Sequence, residues 1–363
     1  HKALLYAAAL LDFDIRWLWP SAQAEGALCS CPVTAEALTG ALHAMAQQGN
    51  TPFGVYVTSP DYLGGVQELP ALAAVCRAQG VPLLVDNAHG AYLHFLPQNC
   101  HPIAQGAAMC CDSAHKTLPV VTGGAYLHLA HDAPVQDEAA VRGALALFGS
   151  TSPSYLILQS LDACNAMLAG DYPRRLVQCC AALEGLRRSL NKTAAARQCP
   201  VPLAVAGAQQ EPMKLTLDAA ALGCTGTALA DALRRAQMEC EYADPRYVVL
   251  MFTPENPPQD YTRLQTALEQ LLAAVPAGLS RPENRAGEFA ALQQQAVQRC
   301  TIRQAVLGAQ VRVPVHKALG RVCAMPTVSC PPAIPVAVSG EEITPAAIAL
   351  MQRYGIEELS VLR

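Results

Sequence analysis

Apolar residues gather in short blocks along this chain. FGVYVTS (Phe53–Ser59), PLLVD (Pro82–Asp86), GAAMCCDS ending at Ser113 and GGAYLHLA (Gly123–Ala130) are nearly continuous apolar runs. Runs of that length predict strands, and PLLVD is the kind buried on both faces of a parallel sheet. LPALAAVCRAQG (Leu69–Gly80) predicts an amphipathic helix that stops at its glycine. Strand, helix and strand joined by short loops predict a right-handed parallel α/β unit. A helix is expected over residues 2–11, and one long helical stretch from Tyr155 to about Leu190.

A second pattern follows. MKLTLD (Met213–Asp218) and YVVLMFT (Tyr247–Thr253) predict strands, with helices near Ala228–Met238 and over Tyr261–Ala274. That is a small α+β layer distinct from the first sheet. Pro276–Pro282 reads as a linker. Beyond it the pattern predicts a helix over Glu283–Arg299, a turn at Cys330–Pro332 and a strand at Ile334–Val338. A helix from Thr344 and a last strand near Leu359–Leu362 complete the chain. No internal repeat or low-complexity tract interrupts this order.

Composition narrows the function classes. Hydrophobic residues make up 52% and charged ones 15% of the 363 residues, which fits a well-buried globular chain. The net charge of −4 and the lack of a long basic run exclude nucleic acid as an expected partner. The fifteen cysteines are scattered, and the pairs Cys29/Cys31, Cys110/Cys111 and Cys179/Cys180 are too close for a zinc knuckle. Reduced cysteines of a cytoplasmic protein are therefore expected, and no metal. The opening KALLYAAALL followed by SAQA mimics a signal peptide. Asp12, Asp14 and Arg16 interrupt it, so no leader is expected. No apolar run approaches the ~18 residues of a membrane span. A chain opening on His1 within a helical pattern reads as a piece of something longer.

The chemistry concentrates in two blocks. Asp86 ends a predicted parallel strand in VDNAHGAYLHF, and Lys116 lies just past another in DSAHKTLPVVT. Carboxyl ends of parallel strands are where open α/β sheets bind ligands. A lysine among small and apolar residues is either a structural oddity or a nucleophile. An acid and a lysine at neighbouring strand ends match what pyridoxal phosphate requires, a Schiff-base lysine and a carboxylate for the pyridinium nitrogen. Ser113 and His115 stand near enough in sequence to reach the cofactor phosphate or the reacting carbon, and Ala88 is small enough to lie against the ring.

VDNAHGAYLHF, His101–Pro102 and DSAHKTLPVVTGGAYLH together resemble the Orn/Lys/Arg decarboxylases, which have the aspartate-aminotransferase fold. TSPSYLILQSLD (Thr151–Asp162) and CPPAIPVAVSGEEIT (Cys330–Thr344) extend the likeness over essentially the whole chain. The resemblance implies an α/β fold: a pyridoxal-phosphate-dependent transferase-like (fold type I) major domain over 1–200 with a mainly parallel sheet. A small α+β domain over 201–276 and a C-terminal domain over 283–363 would follow. It implies Lys116 as the Schiff-base lysine, Asp86 at the pyridine nitrogen, Ser113 and His115 at the phosphate, and Ala88 and His89 along the ring. His1 would stack on the other face, and Thr151 and Ser152 would reach the phosphate in a neighbouring subunit, so at least a homodimer is expected. In the family a Gly/Ser/Thr-rich phosphate-gripping segment lies upstream of that histidine.

The activity so implied is decarboxylation of arginine, lysine or ornithine, within polyamine and amino-acid metabolism. Lys116 or His115 would return the proton to the α-carbon. Glu341 and Glu342 are candidates for the substrate's distal cation. The Asp86/Lys116 pair by itself equally serves an aminotransferase or an aldolase-type lyase, for which Arg246 would be the carboxylate-gripping residue. A cofactor-deficient scaffold subunit is the remaining alternative.

Overall fold

The computed structural model describes residues 2–19, 28–30, 32–207, 209–276, 278–280, 286–325 and 335–363. The chain forms two compact units. One comprises Val33–Leu217 and Val249–Gly278, the other His1–Pro32, Asp218–Val248 and Leu279–Arg363.

The first helix of the chain, α1 (Lys2–Leu11), lies in the second unit; α2 (Ala35–Gln47) and β1 (Val55–Thr58) open the first. There follow α3 (Leu69–Ala78), β2 (Leu83–Asp86), β3 (Met109–Asp112), the single turn α4 (Ala114–Thr117) and β4 (Tyr126–Leu129). The strands form one sheet in the order β1-β2-β3-β4. The first three are parallel, as the apolar runs predict, and β4 returns antiparallel against β3. The register sets Thr58 beside Asp86 and Asp86 beside Cys111, so the carboxyl ends of three strands finish level. Helix α3 buries Leu69, Leu72, Ala73 and Cys76, the i, i+3, i+4, i+7 stripe of a helix laid on a sheet. It ends where Gly80 takes φ +66°, a conformation that costs glycine least.

Helices α5 (Glu138–Phe148), α6 (Tyr155–Leu168) and α7 (Tyr172–Ala196) complete this part of the first unit. The expected single helix from Tyr155 to Leu190 is thus two. Pro173 cannot donate to a preceding turn, so α6 stops at its Ala169 cap and α7 restarts with the proline in its first turn. Helix α5 has no counterpart in the sequence reading, because its apolar residues face no core: it buries none of them. Leu176, Leu183 and Leu190 of α7 are fully buried. Their helix packs against α9 (Pro258–Ala273), where Leu264, Leu268 and Leu272 repeat at the same helical spacing.

Strands β5 (Lys214–Asp218), β6 (Tyr242–Ala243) and β7 (Tyr247–Met251) form a small sheet in the order β5-β7-β6, with α8 (Gly226–Arg235) between β5 and β6 in sequence. The second unit holds α8, α10 (Ala286–Gln295), α11 (Ile302–Leu307), α12 (Pro345–Arg353) and the antiparallel pair β8 (Gln310–Pro314) and β9 (Glu358–Leu362). Ile343, Met351 and Val361 lie in its core, fully buried. The strand expected at Ile334–Val338 is not formed over its described part. Pro335 has no amide hydrogen, and the Val338 amide goes to the Glu341 side chain in a local turn instead of a ladder. The turn expected at Cys330–Pro332 lies outside the described residues. Among the described residues no helix is long and apolar enough to cross a membrane.

Candidate active site

Asp86 is the last residue of β2, and Lys116 sits in the turn that follows β3, the neighbouring parallel strand. Each Asp86 carboxylate oxygen has a partner. Oδ1 accepts the Ala88 amide at 3.2 Å, and Oδ2 accepts the Tyr56 hydroxyl from β1 at 2.9 Å. Burial, and then the charge of Asp86, raise the Tyr56 phenol above its ordinary range, so this hydroxyl remains a donor.

His89 links the two strand ends. Its Nε2 lies 3.3 Å from Lys116 Nζ, and its ring meets Tyr62 edge-on at 5.0 Å. Burial, then the charges of Lys214, Lys116 and His115, hold its pKa well below the usual histidine range. A neutral ring that accepts from an ammonium at Nε2 carries its proton on Nδ1. That Nδ1 is buried without a hydrogen-bond partner. A buried donor left over beside a lysine is the kind of group a ligand's oxygen satisfies.

His115 is anchored instead of free. Its Nδ1 lies 3.0 Å from the Gly124 carbonyl oxygen, which also accepts the His115 amide at 3.3 Å, so only Nε2 is turned to other work. Glycine is required at that loop: Gly123 takes φ +101°, and a Cβ at Gly124 would overlap Val120. Ser113 precedes α4 without spending its hydroxyl on a capping bond. The structure therefore gathers Asp86, Ala88, His89, Ser113, His115 and Lys116 at the carboxyl ends of β2 and β3.

Thr151 and Ser152 are exposed in the α5–α6 loop, where the Ser150 hydroxyl accepts the Ser152 amide. His1 lies outside the described residues. Glu341 and Glu342 belong to the second unit and are engaged there. Glu341 accepts the Val338 amide at 2.9 Å, and burial raises its carboxyl; Glu342 pairs with Arg299 at 2.6 Å. Arg246 forks onto Asp218, its closest contact 2.7 Å. Tyr56 and Tyr62 escape the sequence reading because they stand in no motif; the only signal is a tyrosine in a strand and in the loop after it, where apolar residues would pack as well.

The family model described as "Orn/Lys/Arg decarboxylase, major domain" matches residues 1–259. An arginine decarboxylase of Bacillus subtilis (strain 168) is 28% identical over 299 residues, which cover 80% of this chain and 59% of the relative. The uncharacterized protein YaaO of the same organism is 28% identical over 308 residues, 83% of this chain and 61% of its own. The chain thus spans about three fifths of the length of these curated relatives. Among solved structures, the constitutive lysine decarboxylase of Escherichia coli aligns over all of this chain and 66% of its own, with TM-score 0.73 and 18% identity. The Francisella novicida lysine decarboxylase aligns likewise, over all of this chain and 65% of its own, with TM-score 0.76 and 18% identity. The fold is that of the fold type I enzymes: an α/β major part with a mainly parallel sheet, followed by small antiparallel sheets.

Proposed function

The chain belongs to the Orn/Lys/Arg decarboxylase family, and on that footing we propose that it carries the lysine and the carboxylate of a pyridoxal-phosphate-dependent decarboxylase acting on arginine, lysine or ornithine. The observation that carries this reading is Asp86 and Lys116 at the ends of adjacent parallel strands, with His89 Nε2 3.3 Å from Lys116 Nζ. The residues present fit the cofactor: an amine, a carboxylate, a small Ala88 and a buried Nδ1–H with nothing to donate to.

In this reading Lys116 holds the cofactor covalently, Asp86 keeps the pyridine nitrogen protonated, and Ala88 and His89 line the ring. Ser113 and His115 serve the phosphate. When bound, pyridoxal phosphate supplies an electron sink for the charge left on the α-carbon as carbon dioxide departs. The chain's own work is positional. Tyr56 and the Ala88 amide fix the Asp86 carboxylate, and His89, kept neutral, faces Lys116 without adding a second positive charge. Lys116, or His115 after Nε2 has taken up a proton, would return a proton to the α-carbon. A distal cation calls for an uncommitted carboxylate, so with Glu341 and Glu342 locally engaged neither is assigned that role.

A second copy of the chain completes the reading. Thr151 and Ser152 are flanked by the exposed apolar side chains of Leu147, Phe148, Tyr155 and Leu156, Tyr155 being 84% exposed. An apolar face of that kind marks an interaction surface, and a partner seated on it would receive Thr151 and Ser152 at its own phosphate site.

The test is reconstitution with pyridoxal phosphate, then borohydride reduction. We expect a visible absorbance band, a pyridoxyl group fixed at residue 116 by peptide mass spectrometry, and carbon dioxide released from one of the three amino acids. A Lys116→Ala variant that keeps the same band would overturn the reading.

A further inference from the structure

Behind the Asp86–Lys116 strand ends lies a second cluster. Cys110 and Asp112 are two residues apart on β3, so their side chains leave the same face of the sheet. His128 on β4 is the direct cross-strand partner of Cys110 and shares that face. His101, from the loop before β3, closes over it. Its Nε2 lies 3.0 Å from Asp112 Oδ2 and 3.8 Å from Cys110 Sγ. Cys110 Sγ lies 3.9 Å from Asp112 Oδ1. His128 Nε2 also lies 3.0 Å from Asp112 Oδ2, yet it is buried there with no aligned hydrogen bond. The His101, Cys110 and Asp112 side chains are all buried.

We propose that His101, Cys110 and Asp112 form a structural site for a divalent transition metal, zinc by its ligand chemistry. Zinc takes imidazole nitrogen at about 2.0–2.1 Å, thiolate at about 2.3 Å and carboxylate oxygen at about 2.0–2.2 Å, so tetrahedral ligands stand roughly 3.3–3.7 Å apart. Among His101, Cys110 and Asp112 the separations of 3.0–3.9 Å bracket that range. A nitrogen, a sulfur and an oxygen suit zinc over magnesium or calcium, which prefer oxygen alone. The Asn87 amide, 2.7 Å from Asp112 Oδ1, supplies the outer hydrogen bond that orients a ligating carboxylate. The role of the site is to clamp the loop at His101 to β3. It stands independently of any reading of Lys116.

The test uses an untagged chain purified without chelator. Elemental analysis should find about one zinc per chain, and cobalt exchanged into that position should show tetrahedral ligand-field bands with a thiolate-to-cobalt charge-transfer band. Cys110→Ser should keep the ligand-field bands and lose the charge-transfer band. His101→Gln should weaken zinc binding at least about tenfold. Two outcomes overturn the site: metal content well below stoichiometric with no cobalt spectrum, or cobalt spectra unchanged by Cys110→Ser and His101→Gln. In either case the cluster is a metal-free group in which His101 is hydrogen-bonded to Asp112.

Discussion

His89 and Tyr56 show how neighbours set what a single side chain can do. The folded protein holds His89 well below its ordinary pKa of 6.5. Between those values the unfolded chain binds a proton that the folded chain refuses, so the unfolded state gains on acidification and stability rises with pH across that window. The cost is absent above about pH 6.5 and grows below it. Calorimetric Tm values should therefore drop less between pH 8 and pH 5 (roughly the span of histidine titration) in His89→Asn than in the parent. Tyr56→Phe removes one hydrogen bond to Asp86 and leaves the packing nearly unchanged. A loss of about 1 kcal/mol at the carboxylate corresponds to about five- to tenfold weaker pyridoxal phosphate binding, read by absorbance titration. Asp86 and Lys116 are legible in sequence because each follows an apolar strand and stands in a dense local motif. Asp112 is not legible in the same way: His101 and His128 come to it from a loop and from the next strand, and only the β3–β4 pairing reveals the meeting.

At the scale of elements, periodicity predicts what has a core to face. Helices α3 and α9 and strands β1, β2, β3, β5 and β7 all fall where apolar spacing places them, since burial and pattern express the same force. The misses have local causes. Proline at the start of α7 splits one predicted helix in two, and α5 carries its apolar residues outward, where no period relates them to the interior. The α7–α9 contact should be the mechanical spine of its unit. Leu183→Ala, at a fully buried position, is expected to cost about 2–5 kcal/mol in urea unfolding, whereas an exposed change such as Arg188→Ala on the same helix should cost within about 0.5 kcal/mol.

For the whole molecule, the exposed apolar stretch from Leu145 to Leu158 is what the interior does not account for. If a second copy covers it, the chain sediments as a dimer, and Tyr155→Asp with Leu156→Asp shifts it to monomer while leaving the far-ultraviolet circular dichroism unchanged. No reading of one chain's pattern distinguishes such a face from a core-facing one; the fold has to be seen first.

The ladder between β3 and β4 brings Asp112 opposite Tyr126, and everything from Ser113 to Ala125 hangs from that pair as one closed loop. Its apex, Val121 to Gly123, is exposed to solvent. A protease nick at that apex would leave the sheet standing, since both strands keep their partners, while His115 and Lys116 stay with β3 and the Gly124 carbonyl that anchors His115 stays with β4. The hold on His115 is thus a property of an uncut ring of backbone, and limited digestion should loosen that side chain long before it melts the protein.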